Sequence, residues 1–320
     1  MKVLITGATG LVGSAIVKEL KKYQVPIHYL TTSKKKIVSE ENYTGFYWNP
    51  AKGEMDEKAL NGITAIINLA GATISKRWTP AYKKEILNSR LSSLRTLRKG
   101  LERSNGHHIE GFVSASAIGV YPNSLTTFYE EDETAVDDSF LGEVVEAWEK
   151  EIDTFNTFDF NVSKIRIGLV LSEDGGALPK MAQPINYYVG AAFGSGEQWQ
   201  SWIHIHDLAR MFVFVLEHNL AGTFNGVAPN PVTNSKLTKE LAKVLEKPLI
   251  LPNVPKLMMK LILGEMAYIL FASQRVSSKR IEEKGFAFNY KNICRALESF
   301  YGGESCNENS IEPSYEKNYS

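Results

Sequence analysis

The residues with the clearest capacity for chemistry are three glycines near the amino terminus, in the run Gly7-Ala8-Thr9-Gly10-Leu11-Val12-Gly13. This turn follows an apolar run and opens a segment with helical periodicity, which is the context of a dinucleotide phosphate site. Gly7 permits a tight turn, Gly10 lets the backbone approach a pyrophosphate, and Gly13 lets helix and strand pack closely. The N–H groups and positive dipole end of the helix favour a bound anion. A glycine-rich turn without a ligand is the alternative.

The end of the second predicted strand bears on which dinucleotide the turn would hold. NAD-binding proteins usually place an acidic residue there, which accepts a hydrogen bond from the ribose 2′-hydroxyl. This chain instead reads Thr31-Thr32-Ser33 and then Lys34-Lys35-Lys36, with no carboxylate. Hydroxyls and positive charge favour a 2′-phosphate, so we expect NADP(H) in preference to NAD(H). A solvated basic loop is the alternative.

Two later segments are expected near the same ligand. The small residues in Asn68-Leu69-Ala70-Gly71 end a predicted strand and let the chain pass the adenine and ribose of a dinucleotide. Glu85 and Arg90 lie on one long predicted helix. A surface ion pair, which stabilises little, is the alternative role for these two residues.

The elements that must position these residues alternate between strand and helix. Apolar runs predict strands over 2–6, 26–31, 65–69, 111–114 and 162–171. Helical periodicity appears at 13–23 and 80–103, and later at 207–218, 233–246, 255–272 and 290–301. This order predicts an α/β fold, a Rossmann-type doubly wound parallel sheet with a smaller, mostly helical C-terminal lobe. We expect a cofactor domain over 1–171 with later returns to the sheet, a substrate lobe over 172–302 and a polar tail over 303–320.

Composition excludes several other classes of protein. The chain has 320 residues, 36 basic and 36 acidic, so its net charge is zero and nothing indicates nucleic-acid binding. The apolar segment 257–272 contains Lys260 and Glu265 and is too short to cross a bilayer, so we expect no membrane contact there. A mostly buried helix or one facing a partner subunit is the favoured interpretation. No signal-peptide pattern is present, and we expect a cytoplasmic protein.

A series of motifs in order resembles the extended short-chain dehydrogenase/reductase superfamily, in particular its atypical branch of epimerase family proteins. The resemblance runs from Met1 to about Tyr301. The motifs are Gly-Ala-Thr-Gly-Leu-Val-Gly (7–13), Asn-Leu-Ala-Gly (68–71), Lys-Arg-Trp-Thr (76–79), Asn-Ser-Arg-Leu (88–91), Ser-Ala-Ser-Ala-Ile-Gly-Val-Tyr (114–121), Gly-Ser-Gly-Glu-Gln (194–198), Ser-Trp-Ile-His-Ile-His-Asp-Leu (201–208), Asn-Gly-Val-Ala-Pro (225–229) and Gly-Phe-Ala-Phe (285–288).

The resemblance implies a Rossmann cofactor domain, a small C-terminal substrate lobe and bound NADP(H). The family's cofactor positions fall on the 7–13 turn, Thr31-Thr32, Leu69-Ala70, Glu85, Arg90 and Val170. Relatives often carry arginine where this chain has Thr32. Lys34 or a neighbouring residue would therefore have to contact a 2′-phosphate.

The superfamily's usual proton donor is missing. Ordinary members use a Ser/Thr together with a Tyr-x-x-x-Lys helix, in which the lysine lowers the pKa of the tyrosine. Here Ala117 occupies the serine position, one residue from Ser116, and the helix 140–149 contains neither tyrosine nor lysine. The other candidate groups for acting on a substrate are Ser116, Tyr121, Glu143, Arg166, His204 and His206.

Structural roles compete with each of these candidates. Tyr121 fits packing at a strand end, and Glu143 fits a solvated helix face. His204 and His206 alternate along an extended segment, so their side chains are predicted on opposite sides. Asp207 is predicted to cap the next helix. Trp199 and Trp202 are expected to form an apolar wall for a substrate.

Three hypotheses for function follow. The first is an NADP(H)-dependent oxidoreductase or epimerase-like enzyme, acting on a small carbonyl, hydroxyl or nucleotide-sugar-like substrate. The second is a protein that senses NADP(H) without turnover. The third is a partner-binding protein, with the 255–272 helix as the candidate contact, and a homodimer is left open. No metal site is expected.

Overall fold

A computed structural model describes residues 1–104 and 108–302 of the chain. They form two compact units, and neither is continuous in sequence. Unit 1 comprises 1–122, 131–167 and 208–226, and unit 2 comprises 123–130, 168–207 and the residues from 227 onward. The predicted polar tail, 303–320, lies outside the described residues.

Unit 1 is built on a nine-stranded sheet. Its strands are β1 (Val3–Thr6), β2 (Ile27–Thr31), β3 (Ser39–Glu40), β4 (Tyr43–Asn49), β5 (Glu54–Met55), β6 (Ala65–Asn68), β7 (Gly111–Ala117), β9 (Asn161–Ile167) and β13 (Gly222–Gly226). The order is β13-β9-β7-β6-β1-β2-β4-β3, and β5 pairs with β4. All pairs from β13 to β4 are parallel, whereas β3 and β5 are antiparallel to β4. The predicted doubly wound parallel sheet is confirmed.

The helices of unit 1 run between these strands and cover the sheet. They are α1 (Leu11–Lys22), α2 (Pro80–Arg103), α3 (Phe140–Asp153) and α5 (Ile205–Glu217). The core strands are buried along their whole length, with Ile5, Ile66 and Phe112 fully inaccessible. This burial explains why their sequences are continuous apolar runs rather than alternating patterns.

Unit 2 consists of short elements around a separate core. Its strands are β8 (Phe128–Tyr129), β10 (Leu169–Leu171), β11 (Trp199–Gln200), β12 (Trp202–His204), β14 (Val232–Thr233) and β15 (Arg275–Val276). Its helices are α4 (Leu178–Asn186), α6 (Asn234–Val244), α7 (Lys256–Leu263), α8 (Tyr268–Phe271), α9 (Lys279–Glu283) and α10 (Ile293–Tyr301). Trp202, Leu237 and Leu297 are buried in its core.

Several predicted boundaries differ from the structure. The predicted strand 162–171 is two strands, because the chain leaves the main sheet after Ile167 and β10 pairs with β12 instead. Gly168 permits this crossing, since a Cβ there would overlap the carbonyl oxygen of Ser201. The division between units therefore falls after 167 rather than 171, and the predicted helix 207–218 belongs to unit 1 from Leu208 onward.

The predicted helix 255–272 is not continuous. It ends at Leu263, and Gly264 adopts a left-handed backbone (φ 62°) before a 3₁₀ turn leads into α8. The expectation that this segment is mostly buried is wrong for α7, in which no residue is buried. Among the described residues, no helix has the length and apolar character needed to cross a membrane.

Candidate functional site

The glycine turn connects β1 to α1 at the centre of the main sheet. Gly7 has φ 73°, in the left-handed region, and a Cβ there would lie 3.0 Å from the Leu69 carbonyl group. A Cβ at Gly13 would overlap the carbonyl oxygen of Gly7 and lie 2.8 Å from the Cα of Ala8. Gly7 and Gly13 are therefore required for the turn itself. A Cβ at Gly10 would have only one close neighbour, 3.3 Å away.

The first turn of α1 is open to an anion. Its N-cap residue, Gly10, has no side chain to accept from the helix start, and the first turn contains no acidic residue. The Ser14 N–H donates to the Gly10 carbonyl at 2.8 Å. The N–H groups of Leu11, Val12 and Gly13 precede this bond, so they lack the usual intrahelical acceptor. Thr9 is exposed at the same turn. This geometry fits a bound phosphate.

A buried chain of polar groups holds the strand ends around the turn. The Thr6 hydroxyl donates to Asn68 Oδ1 at 2.7 Å and accepts from the N–H groups of Leu69 (3.0 Å) and Ala70 (3.1 Å). Asn68 Nδ2 donates to Ser114 Oγ at 2.9 Å. These bonds fix the carboxyl ends of β1, β6 and β7. The sequence analysis missed the role of Thr6, although a polar residue closing a buried apolar strand was a usable signal.

The end of β2 carries the residues that are predicted to contact the 2′-phosphate of NADP(H). The Thr31 side chain is buried and its hydroxyl accepts from the Ser33 N–H at 3.2 Å, whereas Thr32 is exposed. Lys34–Lys36 form an exposed 3₁₀ turn, with the Lys34 ammonium 5.3 Å from the centre of the Tyr47 ring. Three exposed ammonium groups thus follow directly on the strand end.

The lysine turn is anchored by Tyr29, which the sequence analysis did not single out. This buried side chain stacks on Tyr43 with ring centres 4.5 Å apart. Its hydroxyl donates to the Lys36 carbonyl at 2.5 Å and accepts from the Val38 N–H at 3.0 Å. A Cβ at Gly45 would overlap the Tyr29 ring, so the neighbouring strand leaves room for it.

Arg90 holds the segment that follows β6. Its guanidinium donates to the carbonyls of Ala72 (3.1 Å) and Ile86 (2.9 Å), and Ser89 Oγ accepts from the Ala72 N–H at 2.9 Å. The guanidinium lies 4.9 Å from the centre of the Trp148 ring. Burial lowers its pKa to about 10, and its Nε has no hydrogen-bond partner among the described residues.

The other cofactor positions lie in different surroundings. Gly71 packs against Arg90, because a Cβ there would lie 3.1 Å from Arg90 Cγ. Glu85 is exposed on α2, and Arg90 bonds backbone carbonyls rather than this carboxylate. Val170 is half-buried in β10 of unit 2. The turn, the β2 end and the 69–71 segment all belong to unit 1, at neighbouring strands of one sheet.

Two of the catalytic candidates lie in a buried polar network of unit 1. Ser116 Oγ donates to Glu149 Oε1 at 2.5 Å. Arg166 Nε and one terminal nitrogen donate to the two Glu149 oxygens at 2.8 and 2.9 Å. Another Arg166 nitrogen donates to the Tyr121 hydroxyl at 2.9 Å, and that hydroxyl donates to Asn225 Oδ1 at 2.7 Å. The network joins α3, β7, β9 and β13.

Burial and neighbouring charges shift the pKa values of the groups in this network. Burial alone would raise the pKa of Glu149, but the Arg166 guanidinium and the Ser116 hydroxyl hold it below its ordinary value. Burial raises the pKa of Tyr121 to about 12 despite the facing Arg166. Both hydroxyls are buried with their protons donated to protein acceptors. Tyr121 does not end a strand: it follows a 3₁₀ turn, Ile118–Val120, and is fully buried.

Glu143 has different surroundings. It lies in the first turn of α3 and is exposed. Ser139 caps this helix, since its hydroxyl accepts from the Gly142 N–H at 3.4 Å. Of the six candidate groups, Glu143 and His206 are exposed, whereas Ser116, Tyr121, Arg166 and His204 are buried.

His204 is enclosed in unit 2. Its ring stacks between Tyr290 and Phe300, with centres 3.7 and 4.4 Å away. Nδ1 accepts from the His206 N–H and Nε2 lies 3.0 Å from Ser299 Oγ, so the ring carries its proton on Nε2. Burial, with a smaller contribution from His206, lowers the pKa of His204 to about 3. His204 is therefore neutral at ordinary pH.

Three predictions about this segment are wrong. Because α5 already begins at Ile205, the segment is not extended at His206, and the two histidine rings lie 4.9 Å apart instead of on opposite sides. Asp207 is inside the first helical turn rather than at the N-cap, and its carboxylate accepts from the N–H groups of Asn289 and Tyr290. Trp202 is fully buried and is a core residue rather than a wall.

Replacing His204 tests its buried, neutral state. The pKa is lower in the folded chain than in the unfolded chain, so this residue stabilises the fold fully above about pH 6.5. That stabilisation is lost by up to ~1.4 kcal/mol per pH unit as the pH falls toward 3. We expect the stability advantage of the wild type over His204→Phe to shrink between pH 7.5 and 4.5 in urea unfolding. The exposed His218→Phe serves as the control, and an advantage that does not change with pH contradicts the account.

The fold and the glycine turn together define the class of protein. A parallel sheet whose first strand leads through Gly-x-x-Gly-x-x-Gly into a helix is a Rossmann-type dinucleotide fold. Residues 3–143 match the NAD dependent epimerase/dehydratase family, and residues 254–300 match a domain of unknown function, DUF1731. An epimerase family protein of Staphylococcus aureus is 39% identical over 296 residues, which cover 92% of this chain and 97% of that protein. The chain belongs to this epimerase family, as its motifs indicated.

Solved structures support the same assignment. Human epimerase family protein SDR39U1, determined with NADPH, is 27% identical with a TM-score of 0.83, covering 94% of this chain and 99% of that one. A nucleoside-diphosphate sugar epimerase from Corynebacterium glutamicum is also 27% identical, with a TM-score of 0.75. It covers 94% of this chain and 58% of that longer one.

Proposed function

We propose that unit 1 binds NADP(H) and that the chain is an atypical, NADP(H)-dependent reductase or epimerase-like enzyme. The observation that carries the proposal is the turn between β1 and α1. Its glycines leave a cradle that a side chain at Gly10 would fill, and three N–H groups of the helix start face it without an acidic neighbour. A pyrophosphate satisfies these groups.

Each remaining segment has a part in holding the dinucleotide. The backbone of Leu69, Ala70 and Gly71 is held in place by Thr6 and Arg90. It lies beside the adenine and ribose of the dinucleotide. Thr31, Thr32 and Ser33 lie at the strand end that receives the adenosine ribose in this fold. Lys34 and its neighbours supply positive charge for a 2′-phosphate. Bound NADPH supplies a hydride, and the chain supplies orientation and proton exchange.

The preference for NADP(H) over NAD(H) rests on the absence of a carboxylate at the end of β2. The human relative solved with NADPH supports it. We expect Lys34→Ala to weaken NADPH binding about 10-fold, the effect of losing one charge-assisted bond. NADH binding should be unchanged, because NADH has no 2′-phosphate.

The control for that substitution is Lys52→Ala, an exposed lysine elsewhere in unit 1. Affinities are measured by isothermal titration of each dinucleotide. If Lys34→Ala weakens NADH and NADPH equally, the lysine turn does not recognise the 2′-phosphate.

The substrate we propose is a small carbonyl, hydroxyl or nucleotide-sugar-like compound. The proton donor is not a Tyr-x-x-x-Lys pair, and the hydroxyls of Ser116 and Tyr121 are committed to the buried network. Glu143 is the candidate we favour, because its carboxyl group is exposed and it belongs to unit 1, which contains the glycine turn. Glu143→Gln should then abolish turnover while leaving NADPH affinity unchanged.

A non-catalytic NADP(H) sensor is the second candidate function. It is favoured by the burial of both hydroxyls and of His204. The two functions are separated by following NADPH oxidation and NADP⁺ reduction with a panel of carbonyl compounds and sugar nucleotides. Turnover of any of them rejects the sensor, whereas tight NADPH binding without turnover supports it.

A further inference from the structure

The motif Lys-Arg-Trp-Thr (76–79) has no part in the proposed dinucleotide site. It begins a run of positive charge that continues into the start of α2, and residues 58–84 contain no aspartate or glutamate. We call the four cations at the end of this stretch the basic cluster: Lys76, Arg77, Lys83 and Lys84. In a chain whose net charge is zero, the cluster is a local excess of positive charge.

Most of the basic cluster has no counter-charge. Lys76, Arg77 and Lys84 are exposed, and none of them pairs with a carboxylate in the part of the chain that the structure describes. The amino-terminal end of a helix favours acidic residues, yet the first turn of α2 contains none. Three arginines further along α2 do pair with glutamates, at N–O distances of 2.8–3.9 Å: Arg95, Arg98 and Arg103. The charges of the cluster are therefore left for solvent or a ligand to balance.

The loop that carries the cluster is held in a fixed shape. Trp78 is buried, and its Nε1 donates to the Ile74 carbonyl at 2.9 Å. The Tyr82 hydroxyl donates to the Thr73 carbonyl at 2.6 Å. The Thr79 hydroxyl caps α2 by accepting from the Tyr82 N–H at 3.2 Å. A loop that is already ordered binds a ligand at a smaller entropic cost than a loop that must be ordered first.

The topology of unit 1 places the cluster at the ligand-binding edge of the main sheet. Strand β6 lies parallel to β1, and its carboxyl end leads through 69–79 into α2. The glycine turn leaves the carboxyl end of β1 at the same edge. Open α/β sheets bind their ligands at this edge. The basic cluster and the glycine turn therefore share one edge of unit 1.

The cluster also lies beside the start of α3. The Lys83 ammonium is 4.9 Å from the centre of the Phe140 ring, and the Trp78 ring packs against Phe140 with centres 5.2 Å apart. Glu143, the carboxylate we favour as proton donor, follows Phe140 by three residues and shares its side of α3. A ligand held at Lys83 therefore lies about one helical turn from Glu143, roughly 5 Å along the helix.

The chemistry of the cluster favours a phosphate as its ligand. Several cations together favour a group with more than one negative charge, which a phosphate has and a single carboxylate lacks. The guanidinium of Arg77 suits phosphate oxygens, because its planar fork can donate two parallel hydrogen bonds. A nucleic-acid surface needs a wider basic footprint than four cations on a chain without net charge.

We propose that the basic cluster is a subsite for a phosphate group of the substrate. This inference rests on the proposed function and narrows its substrate class to phosphorylated compounds. The cations hold the phosphate at one end of the substrate, and the reactive end lies toward Glu143.

Isothermal titration of inorganic pyrophosphate into the NADPH-saturated chain tests the proposal. Bound NADPH occupies the glycine turn, so pyrophosphate reports on a second anion site. We expect saturable binding by the wild type and a dissociation constant at least ~10-fold higher for Lys76→Gln/Arg77→Gln, which loses two cations. The affinity for NADPH should be the same in both proteins. Lys52→Gln/Lys58→Gln is the matched control, because it removes the same charge from exposed lysines elsewhere in unit 1.

Three results of this titration overturn the proposal. The NADPH-bound wild type does not bind pyrophosphate saturably, or Lys76→Gln/Arg77→Gln binds it no more weakly than the control variant does. In the third result, NADPH affinity falls in Lys76→Gln/Arg77→Gln as much as pyrophosphate affinity, which assigns the cluster to the cofactor. A wild type that does not bind NADPH contradicts the proposed function instead. The same comparison of variants on the free chain then decides whether the cluster binds phosphate.

Turnover gives a second test. For a sugar phosphate or sugar nucleotide that the wild type converts, Lys76→Gln/Arg77→Gln should raise KM at least ~10-fold with little change in kcat. The reason is that a remote phosphate contact stabilises the bound substrate and the transition state alike. An unphosphorylated analogue converted with an equal kcat/KM would show that the substrate needs no phosphate.

Discussion

Gly10→Val weakens NADPH binding at least ~100-fold while leaving the chain folded. A Cβ at this position has a single close neighbour, the Gly7 carbonyl oxygen at 3.3 Å, so the turn tolerates it with a small shift. The two methyl groups of valine then occupy the space where the backbone must approach a pyrophosphate. Loss of that contact removes at least ~2.7 kcal/mol of binding free energy. Isothermal titration with NADPH measures the loss.

A matched variant separates this effect from damage to α1. Lys18→Val introduces the same side chain at an exposed position of that helix, two turns further on. It should bind NADPH like the wild type. If the Gly10→Val variant still binds NADPH with wild-type affinity, the cofactor lies elsewhere.

Arg166→Met destabilises the fold by about 3–5 kcal/mol, the usual cost of leaving one member of a buried ion pair without its partner. The substitution keeps the apolar stem but leaves Glu149 buried with only Ser116 and the more distant Lys164 near its charge. The free energy of unfolding in urea at pH 7.5 measures the loss. Arg166→Met/Glu149→Leu should recover much of it, because an apolar pair needs no counter-charge.

The ion pair Arg95–Glu151, in which only the arginine is exposed, provides the control for that comparison. Its N–O distance, 2.8 Å, equals that between Arg166 Nε and Glu149 Oε1, but Arg95 is largely exposed. Arg95→Met should therefore cost less than about 1 kcal/mol. Equal losses from Arg95→Met and Arg166→Met would contradict the assignment of the energetic difference to burial.

The stability that the Arg166–Glu149 ion pair gives the fold should depend on pH. Arg166 and Ser116 lower the pKa of Glu149 in the folded chain, so the pair stabilises the fold above the ordinary carboxyl value of 4.5 and loses that effect as the pH falls below it. In Arg166→Met, burial is the largest effect on Glu149 and raises its pKa against the smaller effects of Ser116 and Lys164. The stability gap between wild type and variant should therefore narrow from pH 7.5 to pH 4.5.

The sequence predicted those parts of the structure that depend on local chemistry. The glycine turn was recognisable because Gly7 and Gly13 have no substitute where a Cβ would meet the backbone. Helix α2 was predicted with both of its ends correct, since Thr79 and Pro80 are strong start signals. The strands β1, β2 and β6 were predicted to within one residue at each end, because full burial makes them apolar throughout.

The parts that were missed depend on tertiary contacts. The break at Gly168 follows from the approach of Ser201, 33 residues later in the chain. Arg166 was a candidate for chemistry on its residue type, and only the fold brings Glu149 against it. For α7 the sequence left open a buried helix and one facing a partner subunit, because an apolar helix has the same pattern whether the protein's own core or another surface covers it.

We propose that the 7–13 turn holds a nicotinamide dinucleotide and that the lysine turn selects NADP(H). The most direct test is fluorescence titration of the wild-type chain with NADPH and, separately, with NADH. The account predicts saturable binding of NADPH at micromolar concentrations and binding of NADH at least ~10-fold weaker, the difference of one charge-assisted contact. Saturable binding of neither dinucleotide would contradict it.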